Sequence, residues 1–204
     1  METFLLPIAI AVVGYWLYMR SRKVVSSVDI SHLPVQFVVF DLETTGLDPS
    51  KHQIIEIGAI RVNRDSNQHD TYQTLVLAKR KLPKKIVELT GITDELLKSD
   101  GVQLEEALSG FAAFVGDLRL VSFNTDFDLP FLNNAAAQYN LQFRNQTSCA
   151  LKMARRAWPK RQSFRLADLA RDGNLSSSNQ HRALGDCERA LHVYIAAASK
   201  LRIA

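Results

Sequence analysis

The sequence predicts an α/β fold in which a mixed β-sheet is flanked by helices. Three β-patterned runs come first, at 35–42, 54–62 and 71–78, and the polar turns between them are short enough for antiparallel neighbours. Helical and β-patterned segments then alternate, which implies parallel strands joined by helical crossovers. The chain has 204 residues and 47% hydrophobic content, enough for one such domain with a substantial core.

The remaining elements follow from their apolar patterns. The strongest helical pattern lies at 102–116, where Leu104, Leu108, Phe111 and Val115 form one apolar stripe. A fourth strand is predicted at 118–123, and further helices are predicted near 84–91, 93–98, 127–139, 146–159, 163–172 and 182–204. Three antiparallel strands followed by such units make a sandwich of the ribonuclease H-like kind.

The first 34 residues have a different composition from the rest. Residues 3–19 carry no charge, and as a helix they would extend about 25 Å, near the thickness of the hydrocarbon core of a bilayer. We therefore predict a transmembrane anchor at 1–19, a linker at 20–34 and a folded domain at 35–204. The basic residues directly after the anchor place that domain in the cytoplasm by the positive-inside rule.

Two other interpretations of the N-terminal segment remain. A cleaved signal peptide would begin with basic residues, and Met1, Glu2 and Thr3 supply none. A buried core helix would be weakened by Pro7 and Gly14. The transmembrane anchor is the preferred interpretation.

Composition excludes some classes of site. The two cysteines, Cys149 and Cys187, have no metal-ligand spacing, so neither a disulfide framework nor a cysteine-based zinc site is expected. The formal net charge of +4 permits binding to nucleic acid or to an anionic membrane without establishing either.

Two acids end the first predicted strand. Asp41 and Glu43 are two residues apart, so their side chains project from the same face of the strand. Two adjacent carboxylates repel each other unless a cation lies between them. This pair therefore predicts a cation-binding site at the end of the strand.

Two later segments supply further candidates. In FNTDFDLPFL at 123–132, Asp128 can reach the end of the first strand, whereas Asp126 is better explained as an acid at the start of a helix. In HRALGD at 181–186, His181 precedes the last helix and Asp186 lies about one turn into it. Both side chains can face the same space.

These side chains form a coherent chemical set. Four acids (Asp41, Glu43, Asp128 and Asp186) in one cleft require cations, and oxygen ligands select Mg²⁺ or Mn²⁺ rather than zinc. Two such ions would stabilise the attacking and leaving oxygens of a phosphodiester. His181 has a suitable ordinary pKa for taking a proton from the attacking water.

The motifs FDLETTGLDP at 40–49, FNTDFDLPFL and HRALGD together resemble the DEDDh 3′→5′ exonucleases, in particular the group around the proofreading epsilon subunit of bacterial DNA polymerase III. The resemblance covers roughly 35–200. It implies stepwise hydrolysis of DNA or RNA from a 3′ end, with release of nucleoside 5′-monophosphates and use of two divalent ions. It also implies that Thr44, Thr45 and Asn124 contact the substrate.

The resemblance has two departures and several consequences. Phe123 and Cys149 stand where many relatives have a histidine and an aspartate, and neither change removes a candidate metal ligand. A DNA polymerase or repair protein is a possible partner. Residues 3–19 of the predicted anchor would contact the bilayer. Together with this anchor, the resemblance predicts a single-pass protein of the bacterial inner membrane. Without the anchor, the protein would be cytoplasmic.

Two basic segments are candidates for nucleic-acid contact. Residues 152–165 carry six basic side chains and no acid, with Trp158 and Phe164 interleaved, and residues 78–85 form a second cluster. Both have the alternative of a solvated surface. The alternative function for the whole chain is a catalytically silent module that binds nucleic acid or a partner. Retention of all four acids and His181 favours the enzyme.

Overall fold

The computed structural model describes residues 30–66, 68–173 and 181–203. Six strands form one sheet in the order β4-β3-β2-β1-β5-β6. They are β1 (Gln36–Thr44), β2 (Ile54–Asn63), β3 (Asp70–Val76), β4 (Gly101–Val102), β5 (Arg119–Ser122) and β6 (Thr147–Cys149). β1, β2 and β3 are antiparallel neighbours, whereas β5 pairs parallel with β1 and β6 pairs parallel with β5. The predicted mixed sheet is confirmed.

Seven helices are described. They are α1 (Lys84–Thr90), α2 (Asp94–Asp100), α3 (Leu104–Val115), α4 (Thr125–Ala137), α5 (Ala150–Ala157), α6 (Leu166–Asp172) and α7 (Ala183–Ile203). Alternate residues of β1 divide the core between the two faces of the sheet. Phe37 and Val39 pack with buried residues of α5, α6 and α7, whereas Val38, Phe40 and Leu42 pack with those of α3 and α4. The domain is therefore a helix–sheet–helix sandwich with β1 at its centre.

One predicted element differs from the structure. The prediction of one helix over 146–159 is wrong at its start, because Thr147–Cys149 forms β6 and only Ala150–Ala157 is helical. Leu120, Val121 and Ser122 of β5 supply the partners for this short strand. That pairing is non-local, and the local sequence around 147–149 does not reveal it.

The residues directly before the predicted boundary at 35 pack against the core. Leu33 is buried in the core beside Phe37, and Ile30 packs against the same cluster. The guanidinium of Arg64 donates to the carbonyl oxygens of Ser31 and Leu33 at 2.5 Å each. Residues 30–34, predicted as the end of a linker, thus contribute to the folded domain.

The prediction of a membrane location is corrected by the structure. Across the described parts of the chain, no helix combines the length and the apolar character that crossing a bilayer requires. This finding contradicts the predicted bacterial inner-membrane location. The predicted anchor at 1–19, with its bilayer contact at 3–19, and residues 20–29 of the predicted linker lie outside the described residues.

Candidate active site

Asp41 and Glu43 occupy the C-terminal part of β1, at the centre of the sheet. In the antiparallel register, Asp41 lies opposite Gly58 and Glu43 lies opposite Glu56 on β2. The register shifts between Glu43 and Thr44, so regular pairing of β1 ends directly after the second acid. The strand thereby presents both carboxylates at the edge where β1 and its parallel neighbour β5 terminate.

Gly58 allows the last helix to approach this part of the sheet. A Cβ atom at Gly58 would lie 2.6 Å from the backbone carbon of Ala183, so only glycine fits without a backbone shift. The Cys187 thiol donates to the carbonyl oxygen of Gly58 at 3.3 Å. Because Gly58 is opposite Asp41, this close approach brings the first turn of α7, with Asp186, to the acid on β1.

The structure brings three of the predicted acids together. Ligand oxygens of Asp41, Glu43 and Asp186 all lie within 4.8 Å of one another. Asp186 forms an ion pair with the buried Arg189, which lies one turn later in α7. The Nε atom of Arg189 lies 2.9 Å from Oδ1 of Asp186, and one terminal nitrogen lies 2.7 Å from the same oxygen. That ion pair engages Oδ1 of Asp186, while Oδ2 accepts from a backbone amide just before the same helix.

Asp128 is the fourth acid and comes from α4. It is only 3% exposed, and its charge raises the pKa of Asp41, so the two carboxyl groups share one electrostatic environment. Asp126, by contrast, is exposed and pairs with Lys152 at 2.6 Å. Asp128 thus lies buried near the other candidate acids, and Asp126 lies at the surface.

The electrostatics of the cluster are unfavourable for four negative charges. Burial, reinforced by the neighbouring acids, raises the pKa of Asp41 well above its ordinary value. Burial followed by the charge of Asp186 raises the pKa of Glu43 to about 8. Burial raises the pKa of Asp128 to about 7. At neutral pH these carboxyl groups therefore ionise fully only if a positive charge joins them.

The donor set fits a hard divalent cation. It consists of carboxylate oxygens from separate elements, gathered and largely buried, which are the ligands that Mg²⁺ and Mn²⁺ prefer. The two cysteines do not compete, since Cys187 is buried and the pKa of its thiol is raised well above the ordinary value by burial. Cys149 is also buried.

His181 lies directly before α7 and is half-buried. Its backbone has φ of 60°, in the left-handed region that non-glycine residues rarely adopt. Its amide donates to Oδ2 of Asp186 at 3.2 Å, so the backbone of His181 is fixed by the same acid that joins the cluster. A strained conformation of this kind costs about 1–3 kcal/mol and persists only where surrounding contacts hold it.

An ion pair that sequence reasoning missed supports this turn. Glu56 is fully buried and accepts from Arg182 at 2.7 Å, from the amide of Ala183 at 3.0 Å and from Gln73 at 2.8 Å. Arg182 directly follows His181. Glu56 thus ties the start of α7 to β2, and the signal for it was a single carboxylate inside the otherwise apolar run IIEIGAI.

The predicted substrate-contacting residues lie around the cluster. Thr44 is buried and donates to the carbonyl oxygen of Gly46 at 2.7 Å, while Thr45 accepts from the amide of Gln53 at 3.1 Å. Asn124 occupies the N-cap position of α4, four residues before Asp128, and its side chain makes no capping bond. These residues bound the ends of β1 and β5, beside the acids.

The two basic segments have different surroundings. In 152–165, Trp158 and Phe164 pack against the core cluster below α7, and Arg161 pairs with Asp172. Both aromatic side chains are thus partly buried rather than fully exposed beside the basic residues. In the second segment, residues 79–81 are exposed and line grooves at the surface.

The fold and the gathered carboxylates together define a nuclease of the ribonuclease H-like class. The chain belongs to the exonuclease family, whose model, described as Exonuclease (RNase_T), matches residues 38–194. The predicted resemblance to the DEDDh 3′→5′ exonucleases is confirmed.

Two curated relatives illustrate the similarity. The DNA polymerase III subunit epsilon of Aquifex aeolicus is 35% identical over 160 residues, which cover 78% of this chain and 78% of that protein. The PolC-type DNA polymerase III of Halalkalibacterium halodurans is 35% identical over 167 residues, 80% of this chain. The chain spans only 12% of the length of that larger polymerase.

Solved structures share the fold. The nuclease domain of 3′hExo, a DEDDh family member bound to rAMP, superposes with a TM-score of 0.69 at 17% identity, covering 80% of this chain and 92% of that one. Exonuclease I of E. coli in complex with a dT13 oligonucleotide gives a TM-score of 0.66 at 20% identity, covering 83% of this chain and 41% of that one. At these identities the likeness concerns the fold.

Proposed function

We propose that this exonuclease uses two divalent ions, Mg²⁺ or Mn²⁺, held by Asp41, Glu43, Asp128 and Asp186. The observation that carries the proposal is the cluster of oxygens from Asp41, Glu43 and Asp186 within 4.8 Å, in a setting that raises the pKa of Asp41 and Glu43. When bound, such ions supply Lewis-acid stabilisation of the attacking and leaving oxygens.

The side chains have separate roles in the proposed reaction. The four carboxylates would hold the cations and so place positive charge beside the scissile phosphodiester. His181 accepts a proton from the attacking water on an imidazole nitrogen. The water oxygen bonds to phosphorus, the bond from phosphorus to the 3′ oxygen of the penultimate nucleotide breaks, and a nucleoside 5′-monophosphate leaves.

The proposed substrate is the 3′ end of a single strand of DNA or RNA. Thr44, Thr45 and Asn124 would contact the terminal nucleotide, and their placement at the ends of β1 and β5 beside the acids supports this role. Exonuclease I of E. coli, which has a related fold, has been solved with a dT13 oligonucleotide. A mononucleotide is bound in the 3′hExo structure.

The domain assignment and the partner are also proposals. We propose that 35–204, extended to include the packed residues 30–34, forms the exonuclease domain; β1 starts at Gln36, and α7 extends to Ile203. A DNA polymerase is the proposed partner, since relatives are named as a polymerase III subunit and as a polymerase. A silent binding module is disfavoured, because every acid and the histidine of the proposed site are present.

The test is release of nucleoside 5′-monophosphates from a 5′-labelled single strand. Asp41→Ala should lower kcat at least about 100-fold with Mg²⁺ or Mn²⁺. The variant would lose metal-ion stabilisation of the transition state, which is worth several kcal/mol, and each loss of about 1.4 kcal/mol slows the reaction about tenfold. Asp126→Ala is the matched control, since this acid is exposed and outside the cluster. Equal rates for wild type and Asp41→Ala would contradict the proposed site.

A further inference from the structure

A basic groove begins beside the proposed position of the terminal nucleotide. It has a volume of about 770 Å³ and runs between the β1–β2 turn and the stretch that follows β3. Thr45 belongs to its lining, and Lys79, Arg80 and Lys81 line it from the later stretch. Since Thr45 directly follows β1 and lies two residues after Glu43, the groove starts near the end of β1 that carries the acids.

The charges in this groove are unbalanced. Its lining includes Lys79, Arg80, Lys81 and Lys51 and no acid. Lys51 pairs with Asp48 at 2.9 Å, but within the described part of the chain no ion pair involves residues 79–81. All three side chains are exposed. Unpaired cations along a groove are the charge complement of a phosphate backbone.

The basic stretch is fixed relative to the site by a chain of hydrogen bonds. The amide of Lys79 donates to Oε1 of Gln53 at 3.3 Å, and the amide of Gln53 donates to Oγ1 of Thr45 at 3.1 Å. At the other end, Leu82 is buried and its amide donates to Oδ1 of Asp94 at 2.9 Å. Residues 79–81 are therefore held beside Thr45.

A second groove, of about 440 Å³, is also lined by Lys79, Arg80 and Lys81. Asp94 and Glu95 line it together with Lys98. Two carboxylates would repel phosphates there, so the first groove is the better path for a polyanion.

From this geometry we infer that the groove lined by Lys79, Arg80 and Lys81 binds the phosphate backbone of a single nucleic-acid strand upstream of its 3′ end. The inference rests on the proposed function, because that function places the 3′ terminus at Thr45. The strand enters along residues 79–81, and its terminal nucleotide reaches the acids on β1. The cations act as a backbone clamp that does not read sequence.

Binding of a fluorescent oligothymidine in EDTA tests the groove without turnover. The Arg80→Ala/Lys81→Ala variant should bind the oligonucleotide more weakly. The magnitude of the slope of log affinity against log salt concentration should fall by about 1.4, because each of the two lost phosphate contacts contributes about 0.7. Arg144→Ala/Lys200→Ala is the matched control, since it also removes one arginine and one lysine, from exposed positions outside both basic segments. The control should retain the wild-type slope. Equal slopes for all three proteins, or an equal loss in the control, would overturn the inference.

Kinetics separate this inference from the proposed function. The ratio of kcat/KM for a long oligonucleotide to that for a p-nitrophenyl ester of thymidine 5′-phosphate should fall about tenfold in Arg80→Ala/Lys81→Ala. An unchanged ratio would count against the groove. If wild type hydrolysed neither substrate, the proposed function would fail, while the binding measurement would still decide whether the groove holds a strand.

Discussion

Glu56 shows at the scale of a residue how a buried charge organises the candidate site. Its carboxylate is fully buried and is satisfied by Arg182, Gln73 and the amide of Ala183. A buried carboxylate without partners strongly destabilises a folded protein. Because its partners include Arg182 and the amide of Ala183, the buried Glu56 favours packing of the start of α7 against β2. The turn that contains His181 is positioned as a result.

Removing Arg182 should destabilise the fold. Arg182→Ala leaves the buried Glu56 without its cation, and we expect a loss of up to about 3 kcal/mol, the low end for a buried pair because the Arg182 side chain is 35% exposed. Urea denaturation measures the change. Adding Glu56→Gln to Arg182→Ala should recover part of the loss, since the uncompensated charge is then gone. A double variant less stable than Arg182→Ala would contradict this account.

The residues of the cluster were predictable to different degrees. Asp41 and Glu43 follow from the two-residue period of a strand, and Asp128 follows from its place after β5. Glu56 and Arg182 could not be paired from sequence, because their contact depends on the β1–β2 register and on where α7 packs, across more than a hundred residues of chain. Local patterns carry no information on that contact.

At the scale of an element, the approach of α7 to the sheet depends on Gly58. Gly58→Ala would place a Cβ 2.6 Å from the backbone of Ala183, so α7 must shift. We expect a loss of about 1–3 kcal/mol, as for overpacked cores, together with a lower kcat because Asp186 and His181 move with the helix. Thermal denaturation and mononucleotide release measure the two effects.

Gly110→Ala provides the matched control for that variant. Its added Cβ would lie 2.9 Å from the Tyr72 hydroxyl, the far end of a side chain on the opposite face of the sheet. It should leave kcat per folded molecule unchanged. A Gly58→Ala variant with wild-type kcat would show that the position of α7 does not limit the reaction.

The elements themselves were largely predictable, and the exceptions have a physical cause. The stripe at 102–116 predicted α3, and the apolar run at 37–40 predicted the central strand. β4 and β6 have two and three residues, too short for a periodic pattern, and each exists because a neighbouring strand offers backbone partners. Non-local pairing overrode the local helical pattern at 147–149.

For the whole molecule, the raised pKa values link stability to pH and to cations. The pKa of Glu43 is about 8 and that of Asp128 about 7 in the folded protein, above their ordinary values of 4.5 and 3.8. Groups with a raised folded pKa favour folding most below their ordinary pKa, and this contribution is lost as pH rises through the folded pKa. Protein without divalent ions should therefore lose stability between about pH 4 and 8.

Cations should reverse this loss. Because Mn²⁺ should bind the ionised carboxylates, it should raise Tm more at pH 8 than at pH 5.5. For a protein of this size, each kcal/mol of stabilisation raises Tm by about 2–4 °C. Differential scanning calorimetry at the two pH values, with and without Mn²⁺, measures the difference. In Asp41→Asn the pH 8 increment should shrink. An equal increment at both pH values would contradict the linkage.

The most direct measurement of the central claim is anomalous diffraction from crystals soaked with Mn²⁺ and a nucleoside 5′-monophosphate. The account predicts two anomalous peaks among the carboxylates of Asp41, Glu43, Asp128 and Asp186, with the nucleotide phosphate between them. It also predicts loss of at least one peak in Asp41→Ala. Crystals with the nucleotide bound and no peak at this cluster, or with peaks only elsewhere, would contradict it.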